Sequence, residues 1–126
     1  MVLTHPDPNK NIRLYTDSSD SAVGAVLSQA TSLGYRPLGF FSRKLSKTEQ
    51  KYATFDRELL AAVLAVKHFR HLLEGRQFPI FTDHKPLTTA MTASTEKSPR
   101  QTRHLSFLSE YTSDIRFVKG LSLIHI

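Results

Sequence analysis

Apolar and polar positions along the chain predict five strands. The apolar runs cover residues 12–17, 22–29, 37–42, 78–82 and 115–118. The first run alternates, which is typical of a half-buried strand. Ser18-Ser19-Asp20-Ser21 is a turn-forming cluster directly after it, so we expect the first two strands to pair as a hairpin.

A helical spacing of apolar residues separates the third run from the fourth. Ser46 and Glu49 match a capping box at its start, and Gly75 stands where a left-handed C-terminal cap belongs. The apolar stripe between them comprises Tyr52, Phe55, Leu59, Ala62, Val63, Val66 and Leu73. We therefore expect one continuous helix from about Lys47 to Leu73.

Two further helices are predicted before the last strand. Residues 86–91 can form a short helix, and Ser98 with Pro99 can start a longer one that reaches about Tyr111. The predicted order is β-β-β-α-β-α-α-β, which indicates an α/β domain with a mixed sheet.

Composition narrows the class of protein. A chain of 126 residues, 40% of them hydrophobic, forms at most one domain and can bury a core. It has no cysteine, which excludes disulfides and thiolate metal sites, and no apolar stretch of membrane-spanning length. The net charge of +6 (17 basic minus 11 acidic residues) is compatible with nucleic-acid binding, and equally with simple solubility.

Two of the predicted strands end in the same dipeptide. Thr16-Asp17 closes the first strand and Thr82-Asp83 closes the fourth. If these strands are neighbours, the two carboxylates lie about 5 Å apart at one edge of the sheet. A strand-terminal Asp is also a common turn former or helix cap, so each residue alone keeps that alternative.

Glu58 is the acid of the predicted long helix that faces the sheet. At about 100° per residue, it borders the apolar stripe, whereas Asp56 and Glu49 lie about 160° and 180° away. A half-buried carboxylate needs a partner. The alternatives are a salt bridge with Arg13, Arg43 or Arg57, or a shared metal site with the two strand-terminal acids.

Three acids that converge repel one another unless a hard cation joins them. Oxygen ligands select Mg²⁺ or Mn²⁺ over zinc, and two such ions can clamp an in-line displacement at phosphorus. Asp17, Glu58 and Asp83 are therefore the candidate metal ligands and catalytic residues of a phosphoryl-transfer site.

Other polar residues are weaker candidates for nucleic-acid contacts. His68 and His71 lie three apart between basic residues, which favours a basic solvated face over a zinc pair. Ser18, Ser19 and Gln29 could reach the sugar edge or 2′-hydroxyl of an RNA strand. The remaining candidates are cationic or titratable and could contact phosphates: His84, Lys85, Arg100, Arg103 and His104.

The combined motifs resemble the ribonuclease H domain of gypsy-type LTR retrotransposon reverse transcriptases. The matching segments are residues 14–19 (LYTDSS), 24–29 (GAVLSQ), 40–45 (FFSRKL), 57–61 (RELLA), 66–75 (VKHFRHLLEG) and 81–87 (FTDHKPL). The resemblance runs from about Val2 to Gly120.

That resemblance implies an RNase H-like α/β fold, with a mixed five-stranded sheet and helices on both faces. It implies two-metal hydrolysis of the RNA strand of RNA–DNA hybrids and assigns Asp17, Glu58 and Asp83 as ligands. It divides the chain into residues 1–11, a lead-in from a reverse-transcriptase domain, and residues 12–120, the RNase H-like domain. Residues 121–126 resemble translated sequencing-adapter sequence, so we expect them to be a non-native tail. The family resemblance also implies a downstream integrase, no membrane, and a cytoplasmic virus-like particle or replication complex.

One position departs from the resembled family. The family carries a fourth acid after the last strand, where this chain has Gly120 followed by Leu121-Ser122-Leu123-Ile124-His125-Ile126. Asp114 precedes the last strand and does not match, and His125 is a weak substitute. We therefore keep two alternatives open: a catalytically impaired module that binds the hybrid or supports the polymerase, and an integrase or transposase core. The acid order Asp-Glu-Asp argues against the second.

Overall fold

The computed structural model describes residues 4–93 and 95–121. Its strands are β1 (Ile12–Ser18), β2 (Ala22–Thr31), β3 (Gly34–Lys44), β4 (Ile80–Thr82) and β5 (Ile115–Phe117). Its helices are α1 (Lys47–Gln50), α2 (Thr54–His68), α3 (Arg70–Leu73), α4 (Lys85–Thr88) and α5 (Pro99–Ser109). All five predicted strands are thus present, and β2 and β3 extend beyond their predicted ends. No helix in the described part of the chain is long and apolar enough to span a bilayer.

The five strands form one mixed sheet in the order β3-β2-β1-β4-β5. The hairpins β1–β2 and β2–β3 are antiparallel, whereas β4 is parallel to both β1 and β5. The predicted mixed five-stranded sheet is therefore confirmed. The parallel pairing of β1 with β4 matters most for function, because it brings the ends of both strands to the same edge.

One face of the sheet carries the hydrophobic core. Alternate residues of every strand point into this core, and α2, α3, α4 and α5 each add buried side chains to it. The opposite face carries half-buried Arg13, Tyr15 and Phe81, with the Tyr15 and Phe81 rings stacked 5.1 Å apart. The helices expected on this second face are not found within residues 4–93 and 95–121.

The single long helix that the apolar spacing predicts is interrupted twice. The predicted capping box at Ser46 and Glu49 is confirmed, but it starts only the one-turn helix α1. Ala53 is then extended (φ −60°, ψ 157°) and Thr54 starts α2. Tyr52 leaves the helical path because its ring packs on the small cluster of Val23, Leu45, Leu60 and Ala61.

A second interruption falls at Phe69, between α2 and α3. Phe69 has φ −97° and ψ 14°, and its ring is buried. A Cβ added at Gly39 of β3 would lie 3.0 Å from this ring, so Gly39 gives the ring its space. The helical path resumes in α3, and Gly75 follows its C-cap with φ 75°, as predicted.

The chain before β1 is tied to the sheet. Thr4 donates a backbone hydrogen bond to the carbonyl of Pro37, and the Arg76 guanidinium donates to the carbonyl of Lys10. The predictions for Val2, Leu3, His125 and most of the tail lie outside the described residues. The capping box at Ser98 and Gln101 starts α5, which ends at Ser109, two residues before the predicted end.

Candidate metal centre

Three acidic side chains meet at one edge of the sheet. Asp17, Glu58 and Asp83 each offer a carboxylate oxygen, and these oxygens all lie within 4.8 Å of one another. Asp17 and Glu58 are buried, and Asp83 is half-buried. The predicted convergence of these three residues is therefore present, and we call this group the acidic pocket.

The register of two parallel strands places the two aspartates. Leu14 pairs with Ile80 and Tyr15 pairs with Phe81, so the Thr-Asp ends of β1 and β4 lie side by side. Thr16 and Thr82 are both fully buried beneath the pocket. The Thr82 hydroxyl accepts a hydrogen bond from the His84 backbone N–H at 3.1 Å, which holds the chain as it leaves β4.

Glu58 reaches the pocket from the first half of α2. Its side chain is 3% exposed, and its Oε1 accepts a hydrogen bond from the Ser18 hydroxyl. The other oxygen, Oε2, is buried and has no hydrogen-bond partner within the described residues. The Ser18 backbone N–H also donates to Asp17 Oδ1 at 2.8 Å, so this residue orients two of the three acids.

The electrostatics of the pocket disfavour a third negative charge. Burial raises the pKa of Glu58 to about 7, the Ser18 hydrogen bond opposes this, and the nearby Asp17 and Asp83 add to the rise. Burial disfavours the charged form of a carboxyl group, and nearby negative charges disfavour it further. A divalent cation would remove the repulsion and satisfy the orphaned Oε2, so the residues present fit a Mg²⁺ or Mn²⁺ site.

The three arginines weighed as partners of Glu58 are engaged elsewhere. Arg57 donates to the carbonyl of Tyr52 at 2.7 Å, and Arg43 forms an ion pair with Glu49 at 2.9 Å. Arg13 stacks on Tyr35, with its Cζ 3.8 Å from the ring centroid. Within residues 4–93 and 95–121, no ion pair includes Glu58. The salt-bridge alternative is therefore wrong for the described part of the chain.

The three residues predicted to contact a sugar lie in different surroundings. Ser18 lies at the pocket, but its hydroxyl serves Glu58. Ser19 shapes the turn, since its Oγ accepts from the Ala22 N–H at 3.1 Å. Gln29 is 3% exposed, and its amide bonds the N–H of Asp7 and the carbonyl of His5. The contact of Gln29 with an RNA strand stays a prediction, and in this structure both ends of its amide hold the lead-in segment.

The cationic candidates fall into two groups. His84 and Lys85 follow Asp83 directly, and the His84 ring lies 6.1 Å from that of Phe55. Burial lowers the pKa of His84, and Asp83 opposes this. Arg100 and Arg103 belong instead to α5, where Arg100 covers the Tyr52 ring at 4.0 Å and approaches Asp56 Oδ2 at 3.8 Å.

No fourth ligand joins the acidic pocket within the described residues. Asp114 lies one residue before β5, which is parallel to β4, and is therefore at the opposite end of the sheet. It forms an exposed ion pair with Arg116 at 2.8 Å. His68 and His71 are exposed and belong to no cluster of three potential ligands in the described chain. The orienting role of Ser18 was missed from the sequence, although its position directly after Asp17 was a signal.

Comparisons with known proteins agree with this fold. Residues 7–111 match the family model of the RNase H-like domain found in reverse transcriptase. The chain is 42% identical over 123 residues to the Transposon Tf2-3 polyprotein of Schizosaccharomyces pombe (strain 972 / ATCC 24843), which covers 94% of this chain and 9% of the polyprotein.

Solved structures show the same fold at low identity. Prototype foamy virus protease-reverse transcriptase is 18% identical, with a TM-score of 0.76 over 98% of this chain and 17% of that chain. LC11-RNase H1 in complex with RNA/DNA hybrid is also 18% identical, with a TM-score of 0.55 over 86% of this chain and 84% of that chain.

Fold and pocket together define an RNase H-like α/β domain with an acidic centre. The chain belongs to the family of RNase H-like domains found in reverse transcriptases. It is homologous to retrotransposon polyproteins, which confirms the resemblance drawn from its motifs. The chain spans 9% of the length of the curated relatives it matches.

Proposed function

We propose that this domain hydrolyses the RNA strand of RNA–DNA hybrids, with Mg²⁺ or Mn²⁺ held by Asp17, Glu58 and Asp83. The observation that carries the proposal is the approach of three carboxylates to within 4.8 Å, with Glu58 Oε2 buried and unpartnered. Membership of the reverse-transcriptase family and the likeness to an RNase H1 bound to an RNA/DNA hybrid support this substrate class.

Each residue of the pocket has a definite task in this chemistry. A pair of divalent ions, when bound, supplies a nucleophilic hydroxide and neutralises charge on the leaving 3′ oxygen. Asp17 and Asp83 present their carboxylates from the ends of paired strands, and Glu58 presents its own from a helix packed on the sheet. Ser18 fixes Glu58 Oε1 and Asp17 Oδ1, so less reorganisation is needed when the substrate enters.

One observation favours a second candidate, a hybrid-binding module with little or no turnover. Within the described residues the pocket gathers three carboxylates, and Asp114 is held at the far end of the sheet. With three acids the second metal position is weaker than with four, because each carboxylate removed takes away charge and a ligand. Such a module would bind the hybrid or support a polymerase domain.

The proposed setting is a polyprotein. Homology to the Tf2-3 polyprotein supports this setting. Within it we propose a reverse-transcriptase domain before this chain, an integrase after it, and a cytoplasmic virus-like particle or replication complex as the location. We also propose residues 12–120 as the functional domain and residues 1–11 as the connection to the preceding domain.

The test is a cleavage assay on a hybrid whose RNA and DNA strands carry different labels. We expect Mg²⁺-dependent cuts in the RNA strand alone, abolished by chelation and by Asp17→Asn. Asp114→Asn is the matched control, because it removes an exposed acid at the other end of the same sheet. Metal-dependent binding without cuts would favour the hybrid-binding module, and joining of DNA strands would favour an integrase core.

A further inference from the structure

A second cluster of like charges lies along the contact between α2 and α5. Asp56 near the start of α2 accepts a hydrogen bond from Gln101 at 2.8 Å, and Lys67 near its end lies 5.3 Å from the Phe107 ring. The two helices therefore run in the same direction. Lys67, Arg70 and Arg100 lie along this contact, and exposed Arg103 belongs to the same helix as Arg100, α5, away from the contact itself. We call these four residues the basic seam.

The charges of the basic seam are poorly compensated. Asp56 approaches Arg100 at 3.8 Å, but no ion pair within residues 4–93 and 95–121 includes Lys67, Arg70 or Arg103. Half-buried His104 lies among these cations. Burial lowers its pKa, and Arg100, Lys67 and Arg103 lower it further while Asp56 opposes them. Lys67 and Arg70 also lie 5.3 and 5.8 Å from the centroid of one ring, that of Phe107, so these two cations can act together.

The basic seam and the acidic pocket occupy different sides of α2. Lys67 follows Glu58 by nine residues, which is about 180° around an α-helix at about 100° per residue. A strand held in the pocket by the carboxylates therefore does not cover Lys67. An anion that binds the basic seam therefore belongs to a separate strand segment or to a separate molecule.

The surroundings of the seam favour a phosphate backbone over an acidic protein. Stable protein interfaces have an apolar centre. Here the Phe107 ring is half-buried and lies beneath two cations, with Lys67 Nζ at 5.3 Å and Arg70 Cζ at 5.8 Å. Exposed cations without acidic partners among the described residues, such as Lys67 and Arg70, suit the repeated charges of a nucleic acid.

We infer that the basic seam is a second nucleic-acid contact, which binds the phosphate backbone of a strand segment outside the acidic pocket. This goes beyond the proposed function, because the seam binds nucleic acid whether or not the pocket hydrolyses RNA. The contact is electrostatic and independent of base sequence, as backbone contacts are.

The experiment measures binding of a fluorescent RNA–DNA hybrid by anisotropy in EDTA at several NaCl concentrations. The test variant is Lys67→Gln/Arg103→Gln, and the control is Lys10→Gln/Arg36→Gln, which removes two exposed cations elsewhere. We expect the salt slope of log K to lose about 0.9 per seam cation, so that binding weakens at least tenfold at about 0.1 M NaCl. The control keeps the wild-type slope.

Three results would overturn the inference. The first is an unchanged slope in the seam variant, and the second is an equal loss of slope in the control. The third is seam-dependent binding of poly-L-glutamate with no seam dependence for the hybrid, which would indicate an acidic protein partner. Melting curves check that the variants fold. Because EDTA removes metal ions from the binding assay, its outcome does not depend on RNA cleavage. The inference can therefore fail while cleavage is normal, and it can hold while cleavage is absent.

Discussion

The acidic pocket is a cluster of negative charges and the basic seam is a cluster of positive charges. The two differ in how strongly solvent screens the repulsion within each cluster. The carboxylates of the pocket are largely buried, and burial first, with the nearby Asp17 and Asp83 adding to it, raises the pKa of Glu58 to about 7. The cations of the seam are mostly exposed, so water and salt weaken their repulsion. In the metal-free protein a proton on Glu58 relieves the pocket, and the proposed divalent ion would replace it, whereas solvent already screens the charges of the seam.

The largest expected effect comes from removing the charge of Glu58 in the pocket while leaving the charge of Asp56, its neighbour on α2. We expect Glu58→Gln to cost about 4 kcal/mol of transition-state stabilisation, roughly a thousandfold in hydrolysis rate, because a metal ligand is lost. Asp56→Asn is the matched control, since Asp56 bonds Gln101 on the other side of α2. Initial rates on labelled hybrid measure both variants, and equal losses would contradict a special role for Glu58.

The next largest expected effect is the pH dependence of the free energy of unfolding, which tests the burial and charge of the pocket. Between pH 4.5, the ordinary pKa, and about 7, folded Glu58 keeps a proton that the unfolded chain releases. Stability of the metal-free protein is therefore highest below this window and falls as pH rises through it, by up to about 3 kcal/mol from this group.

Urea unfolding in EDTA across this pH range measures the effect. The wild type minus Glu58→Gln difference isolates Glu58 from other titrating groups, among them His84 and His104. A difference that stays flat from pH 4.5 to 7 would show that the pocket does not crowd its charges in solution.

The pocket could be predicted from the sequence because its geometry follows from two short periodicities. Identical Thr-Asp endings on two strands place both aspartates correctly once the strands pair in parallel, and helical spacing alone selects Glu58 over Asp56. Both rules are local and hold wherever the elements form.

Other features could not be predicted, because distant contacts decide them. Residues 51–53 contain no helix breaker, yet the helix stops there since Tyr52 packs on Val23 and Leu60. The sequence does not reveal that the Gln29 amide is engaged, because its partners, His5 and Asp7, lie more than twenty residues away in the chain. The uncovered second face of the sheet likewise depends on how whole helices pack.

Divalent ions should stabilise the pocket and leave the seam unchanged. At a hundredfold excess over its Kd, Mg²⁺ is expected to add about 2.7 kcal/mol, or roughly 10 °C in melting temperature for a domain of this size. Asp17→Asn should remove most of this shift, while Lys67→Gln/Arg103→Gln should retain it. A Mg²⁺ shift that survives in Asp17→Asn would place the ion elsewhere.

The smallest effect concerns the seam in the absence of any ligand. Because Lys67 and Arg103 repel their neighbours, Lys67→Gln/Arg103→Gln should stabilise the free domain by about 0.5 kcal/mol at low salt, the size typical of like-charge pairs on helices. The gain should vanish near 1 M NaCl, where the screening length falls to about 3 Å. Thermal melts over a salt series measure it against Lys10→Gln/Arg36→Gln. A seam variant that is less stable than wild type at low salt would mean that these side chains serve packing, through contacts such as Lys67 over Phe107, and that their charge is incidental.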